Sequence, residues 1–411
     1  MPGILSFADA RHAVEEQARA QRGPVDTEVC DLLAAPRRIL AERVTADRDL
    51  PPFSRATRDG YALRAADLAT LPAKLRVVGE IRAGAEAANI KVSAGEAAEI
   101  MTGAPAPVGA DAIVMVEYTA REGATVEVRR AVKPGENIVP PGSEARHGQV
   151  LLEPGARLDA AAIAAAASVG KAELRVFARP LVAILATGDE IVDVAAQPGA
   201  AQIRNSNSYS LAAQVTQAGG EPVLLPIAPD EAGTLRHLAE QGLAYDLLLL
   251  SGGVSAGKYD LVEPVLEKFG AEIFFTGAEI QPGRPILFGR ARRNPGAQPT
   301  YFFGLPGNPT STLVTFELFV RPMLEALAGA CVSPLAFVQA KLGADIRTKT
   351  GLTRFLPAVL SGEFDGAEVR LAAWKGSGDV AGTARANCFV VVPPDRDHIA
   401  AGEAVSVLRV G

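Results

Sequence analysis

LLLLSGGVSAGKYD, running from Leu247 to Asp260, decides the fold. Its opening leucine run shows no apolar–polar alternation and is too short for a buried helix. It reads as a strand covered on both faces. Two glycines come next, and LVEPVLEKFG beyond them has helical spacing. A strand, a glycine-rich loop and a helix in that order aim backbone N–H groups at a phosphate or another anion. Gly252, Gly257 and Lys258 also match the G-x4-G-K spacing of a P-loop. Tyr259 stands where that motif needs a hydroxyl for magnesium, which argues against ordinary NTPase chemistry, although Asp260 restores an anionic oxygen. A plain connecting turn is the bland alternative.

Outward from this stretch the same texture repeats between Phe177 and Gly329. The runs LVAILATG, PVLLPIA, EIFFTGA, PILFG and YFFGLPG are interspersed with the helix-like segments SYSLAAQVTQAGG and DEAGTLRHLAEQG. Apolar strands alternating with helices predict a parallel sheet covered on both faces. Ligands of such sheets bind at the carboxyl ends of the strands. Before this region, SFADARHAVEEQARA predicts an amphipathic helix ending near Gly23, and TEVCDLLAAPRRILAERV a second apolar-periodic piece. From Leu50 short β-like runs broken by Gly and Pro predict a compact β-rich module of about 100 residues. An Ala-rich helix extends to Gly170, and the tail from Pro334 reads as a small all-β unit.

Composition narrows the function classes. The chain has 411 residues, a prior of about two to four domains. Lys+Arg number 41 against 47 Asp+Glu, a net charge of −6 that offers no footprint for nucleic acid or an anionic membrane. Apolar residues at 48% and charged residues at 21% suit a soluble globular chain. Gly (40) and Pro (29) exceed their usual combined share of roughly 12% and predict many tight turns. The 3 cysteines, Cys30, Cys331 and Cys388, lie far apart and are read as reduced thiols of a cytoplasmic protein. With only 4 isolated histidines, a His-rich zinc site is hard to build. No signal peptide or spanning apolar run is legible.

Three strand-end turns hold the candidate residues. LATGDE (Leu185 to Glu190) places Asp189 and Glu190 after Gly188, where hard acids suit Mg²⁺ or merely complement a helix dipole. The Ser251–Gly253 turn supplies N–H donors. FFGLPGNPTS (Phe302 to Ser311) has Asn308 as an N-cap and Pro309 in the first helical turn. Outside these, Asp59-Gly60 in PPFSRATRDGYALR reads as a turn pair. Arg284, Arg354 and Ser377 are weak signals individually.

In this order, FSRATRDGYALRA, EIMTGAPAP, ILATGDEIV, RNSNSY, LSGGVSAGKYD, QPGRP, GLPGNPTS and GSGD resemble the MoeA family of molybdopterin molybdenumtransferases, related to the gephyrin E domain. The likeness runs from Pro51 to Asp379. It implies an α/β multidomain fold. Its parts would be a discontinuous N-terminal dimerisation domain (1–46 and 144–176), an inserted β-rich module (47–143), a three-layer α/β domain similar to molybdopterin adenylyltransferase (177–330), and a C-terminal β-barrel (331–411). It also implies an elongated homodimer whose cleft joins one chain's α/β domain to the partner's inserted module. The implied reaction inserts molybdate into adenylylated molybdopterin and releases AMP with Mg²⁺ participating. Molybdopterin adenylyltransferase and molybdoenzyme apoproteins are the implied protein partners.

By matched position the resemblance assigns Glu190, Asp230 and Asp260 to metal and water organisation. Gly188, Asp189, Ser251, Gly252, Gly253, Ser255 and Gly257 would line the pterin–phosphate pocket. Asp59 and Thr102 would face the cleft from the partner chain, Pro306 and Pro309 would shape its wall, and Arg354 and Ser377 would sit at its rim. Arg284 keeps one of the family's basic positions. Three residues depart from the pattern: Gln281 and Gly277 stand where lysines occur, and Glu144 where an Asp is usual. A neutral amide bonds an oxyanion without a full charge, and charge-assisted bonds are roughly twice as strong. A non-catalytic carrier of the molybdenum cofactor is therefore the first alternative, with a P-loop-type NTPase and a gephyrin-like scaffold behind it.

Overall fold

The computed structural model describes residues 3–21, 26–85, 89–253, 261–331 and 334–409. Its centre is a seven-stranded sheet in the order Ile4–Leu5, Glu272–Ala278, Pro285–Ala291, Thr300–Leu305, Leu247–Ser251, Leu181–Ala186, Glu221–Leu224. The leucine run lies inside the sheet, fifth in this order, and is wholly buried. Leu247 and Leu249 pack into one layer with Val182, Ile184, Phe288 and Phe303. Leu248 and Leu250 face the other layer with Leu235, Ala239 and Val265. Two apolar faces explain four successive leucines, each worth about 1.5–3 kcal/mol when fully buried. Helices Asn207–Ala218 and Pro309–Thr315 cover the first face, and Ala232–Gly242 and Val262–Glu267 the second.

The sheet is mixed, whereas the alternation of runs predicted a parallel one. Pro285–Ala291 pairs antiparallel with both Glu272–Ala278 and Thr300–Leu305. The reason is length: segment 279–284 cannot accommodate a parallel crossover, which needs about a dozen residues or more. The remaining strands run in one direction.

The edge strand is the beginning of the chain. Ile4 and Leu5 pair parallel with Gly277 and Ala278. A Cβ on Gly277 would lie 2.9 Å from Ile4 Cγ1 and 3.2 Å from the Arg284 carbonyl. Glycine at 277 thus leaves room for the edge strand to pack closely. Helix Phe7–Ala20 comes next, with Ser6 accepting from the Asp9 N–H at 3.1 Å as its N-cap. Ala10, Val14 and Ala18 fall on one helical face and join Phe319, Met323 and Leu324 in the sheet's first layer. The opening segment therefore packs on the α/β layer.

The 27–50 stretch pairs with the chain beyond the inserted module. Thr27–Asp31 is antiparallel to Glu173–Phe177, and Leu40, Val44 and Ala46 share a buried cluster with Leu158, Ala166 and Val176. Between them lies a six-stranded sheet built from Gly60–Leu63, Ala73–Ile81, Glu96–Ile100, Ala112–Met115, Thr119–Glu122 and Thr125–Val128. In the C-terminal region five strands close on themselves: Phe337–Leu342, Glu368–Leu371, Thr353–Ser361, Cys388–Val392 and Ala404–Arg409. Ile280–Gln281 adds parallel to Thr353–Arg354, joining sheet and barrel. Among the described residues no helix is long and apolar enough to cross a membrane.

Phe319 is fully buried and touches Phe7 and Phe275 with ring centroids 6.3 and 5.9 Å apart. Phe319→Ala is expected to remove about 3–5 kcal/mol. Calorimetry checks this: the α/β transition should move to a clearly lower temperature, and an unchanged melting profile would contradict the packing.

Candidate functional site

At the carboxyl ends of the central strands a cavity of about 400 Å³ is lined by Thr187, Glu190, Asn205, Asn207, Ser251, Gly252, Gly307, Asn308, Pro309 and Gly378, among others. Its floor consists of three adjacent strand ends drawn together. Thr187 N–H donates to the Ser251 carbonyl at 3.0 Å, and Gly252 N–H donates to the Leu305 carbonyl at 3.1 Å. Gly252 has φ +95°, and a Cβ there would lie 2.5 Å from the Thr187 carbonyl oxygen. Only glycine fits this approach.

The acids gather in two neighbouring turns. Gly188 N–H donates to the Ala228 carbonyl at 3.1 Å, which docks the turn after Leu181–Ala186 against the one carrying Asp230. Asp189 Oδ1 accepts from Asp230 N–H at 3.0 Å, so Asp189 braces the Asp230 turn. Asp230 Oδ1 accepts from Thr187 Oγ1 at 3.2 Å. Glu190 lines the cavity and is exposed. Among the described residues no three acid, His or Cys side chains converge as a ready-made metal cage.

The fourth wall comes from the barrel. Thr310 N–H, in the first turn of Pro309–Thr315, donates to the Ser377 carbonyl at 3.0 Å. Thr310 Oγ1 meets Thr383 Oγ1 at 2.6 Å and accepts from Trp374 Nε1 at 3.3 Å. These bonds hold Gly378 at the cavity. Pro306 is buried, and its carbonyl accepts from Thr312 Oγ1 at 2.6 Å, fixing the turn that presents Pro309.

Arg354 is only 6% exposed. Its guanidinium donates to the Leu352 carbonyl at 3.1 Å and meets no carboxylate among the described residues. Burial alone pulls its pKa below the ordinary guanidinium value. Register pairs it with Gln281, three residues before the exposed Arg284. A buried, unpaired cation beside a sheet–barrel junction is costly for stability and is suited to an incoming anion.

Asp59 and Thr102 stand apart from this cavity. In the inserted module Asp59 Oδ1 accepts from Thr102 N–H at 2.6 Å and from Thr102 Oγ1 at 2.8 Å. These two donors hold the exposed Asp59 carboxyl below its usual range. Ser255, Gly257 and Asp260, together with the Lys258 and Tyr259 of the P-loop reading, lie outside the described residues. Asn207, Asn205 and Gly307 line the cavity although sequence patterns assign them no role. The RNSNSY segment carries that signal, since an Asn entering a helix after a strand end commonly binds backbone.

A larger groove of about 960 Å³ opens at the other edge of the sheet, near Leu181, Asp246 and Thr300. It lies where strands begin, contrary to the usual position of ligands in such folds, so the smaller cavity is the better candidate.

Comparison with known proteins settles the family. Residues 5–170 match the MoeA N-terminal region (domain I and II), 183–326 the "probable molybdopterin binding domain", and 339–410 the MoeA C-terminal region (domain IV). The chain belongs to the MoeA family of molybdopterin molybdenumtransferases. A relative from Nostoc sp. bearing that enzyme name is 37% identical over 100% of this chain and 94% of its own length. Another from Bacillus subtilis is 32% identical over 94% of this chain and 90% of its own. Among solved structures, a molybdopterin biosynthesis MoeA protein from Pyrococcus horikoshii OT3 superposes with a TM-score of 0.77 at 29% identity, covering 99% of this chain and 100% of that one. The chain's place is thus in molybdenum cofactor biosynthesis.

Thr102→Ala removes the hydroxyl donor from Asp59 but keeps the backbone donor, and should raise the Asp59 pKa part of the way toward the ordinary carboxylate value. Because the folded-state value is depressed, the stabilisation is present above that ordinary value and is lost as pH falls through the folded one. Carboxyl NMR titration of both proteins checks this; identical Asp59 curves would contradict the hydrogen-bond account.

Proposed function

We propose that the protein transfers molybdenum from molybdate into adenylylated molybdopterin with Mg²⁺-dependent release of AMP. The supporting observation is convergence: Glu190, the Ser251–Gly252 turn, the PGNP turn and Gly378 of the barrel border one cavity, and Asp230 is tied to it through Thr187. Cleaving an adenylyl phosphoanhydride builds negative charge on phosphate oxygens, and oriented N–H donors stabilise it without reorganisation. Gly252 spends its own N–H on the Leu305 carbonyl, and Gly253, at φ +62°, follows it at that edge.

Glu190 and Asp230 suit magnesium in donor chemistry, since the ion takes one or two carboxylates plus substrate phosphate and water. They would hold it together with Asp260. When bound, the ion supplies neutralisation of phosphate charge. Asp230 would be oriented for this by Thr187 and by the Asp189 brace. Molybdate, a substrate, requires cations, which Arg354 and Arg284 would supply, with Ser377 at the rim and Gln281 contributing an amide only.

Asp59 and Thr102 lie in a module separate from their own chain's cavity, which favours a homodimer that brings them to the partner's cleft. In this reading Asp59 remains ionised through the two Thr102 donors. Neutral Gln281 is the feature that favours the second reading, a cofactor carrier without turnover. A cytoplasmic location accompanies either.

The deciding experiment mixes purified protein with adenylyl-molybdopterin, molybdate and Mg²⁺ and measures AMP. Release of AMP with formation of molybdenum cofactor supports the transferase; tight binding without AMP supports the carrier. Glu190→Ala is expected to lower kcat about 100-fold or more, the scale of losing a major electrostatic contributor. Gln281→Lys is expected to tighten molybdate binding by about 5- to 10-fold, as a charge-assisted bond replaces a neutral one. Wild-type turnover in Glu190→Ala, or unchanged molybdate affinity in Gln281→Lys, would contradict these assignments.

A further inference from the structure

Asn207 begins the helix Asn207–Ala218 and joins two loops that have no covalent reason to stay in register. Its Nδ2 donates to Ser251 Oγ at 2.9 Å and to the Gly307 carbonyl at 2.8 Å. A carbonyl can only accept, so the Gly307 bond fixes which end of the amide faces the loops. Oδ1 is consequently turned away and buried, with no hydrogen-bond partner among the described residues. An orphaned buried acceptor weakens a fold. An amide that leaves one end unpaired in order to place the other between two loops is therefore not chosen for stability alone.

The two anchors matter because of the residues next to each. Ser251 leads into Gly252 and Gly253; Gly307 leads into Asn308 and Pro309, and most of these residues line the cavity. Ser251 and Leu305 are register partners in the sheet, so the loops leave adjacent strand ends. The last backbone tie between them is Gly252 N–H to the Leu305 carbonyl, and beyond it the Asn207 amide links the two loops. The Gly252 Cα lies close enough to Gly307 that a Cβ on the latter would be 3.8 Å from it, so small shifts change the shape of the gap.

We propose that Asn207 is a positioning residue of the transferase: its amide clamps the Ser251–Gly253 and Gly307–Pro309 loops so that both grip one adenylylated substrate. The inference rests on the transferase reading above. Asn207 acts through the loops, and no substrate contact by its own side chain is invoked.

The test measures kcat, molybdate KM, AMP affinity by calorimetry and Tm for wild type, Asn207→Ala, Ser251→Ala and the double variant. Misplacement by an ångström costs on the order of 100-fold in rate, so Asn207→Ala should lower kcat about 30- to 100-fold. AMP affinity should fall about 10-fold. Molybdate KM and Tm should stay near wild type, because removing the orphaned acceptor offsets the two lost bonds. Ser251→Ala cuts one arm and should give a partial loss; the double variant should be no worse than Asn207→Ala. Should Asn207→Ala fail to fold, Asn207→Asp takes its place, since an acid in the first helical turn is favourable yet cannot donate to Gly307.

A kcat within about threefold of wild type, losses that multiply in the double variant, or unfolding of both substitutions would overturn the clamp. If wild type binds AMP but does not turn over, the transferase reading fails alone, and unchanged AMP affinity in Asn207→Ala overturns the clamp separately. Wild type that does neither overturns both.

Discussion

The structure depends on how closely the backbone beyond Leu247–Ser251 approaches its neighbours. Gly252 sits against the Thr187 carbonyl with no room for a side chain and donates its N–H to Leu305. That contact draws the ends of three strands together, and each releases a turn into the same space. A side chain at 252 would push the turns apart, and the acids of one would lose their relation to the amides of another. The buried leucines beneath make the approach rigid, since a strand with two apolar faces cannot shift by one residue without exchanging its entire contents between layers.

The barrel serves the same edge from outside. Its strand Thr353–Ser361 takes Ile280–Gln281 as a parallel neighbour, and its 374–383 segment hydrogen-bonds Thr310. It therefore closes one side of the cavity and holds a buried arginine next to the sheet. Beneath, Glu317, 3% exposed, accepts from Gln214 at 2.7 Å and from Arg321 at 2.6 Å, tying helix Asn207–Ala218 to the chain that starts at Pro309. The elements that carry the cavity are thus cross-linked above and below it.

Much of this is legible from local chemistry. Four consecutive leucines imply burial on two faces, and the glycine pairs at strand ends imply the ligand edge. The turns with Gly188, Gly252 and Pro309 come out together for that reason. Strand direction is not legible, because EIFFTGA and PILFG are as apolar as the parallel strands; only the brevity of 279–284 betrays the reversal. The opening helix is amphipathic as its spacing implies, but periodicity gives a face and not its recipient. It packs on the α/β layer because Ile4 and Leu5 first extend the sheet there. Asn207 escapes a sequence reading for a related reason: its two partners lie 44 and 100 positions away in sequence. Arg354 is a weak signal in its own stretch of sequence, and only the fold reveals a buried cation.

The most direct measurement is a crystal structure of the protein soaked with AMP, molybdate and Mg²⁺. The account predicts phosphate density in the 400 Å³ cavity between Glu190, Gly252 and Pro309. Density instead in the 960 Å³ groove beside Tyr245 and Arg293, at the opposite edge of the sheet, would contradict it.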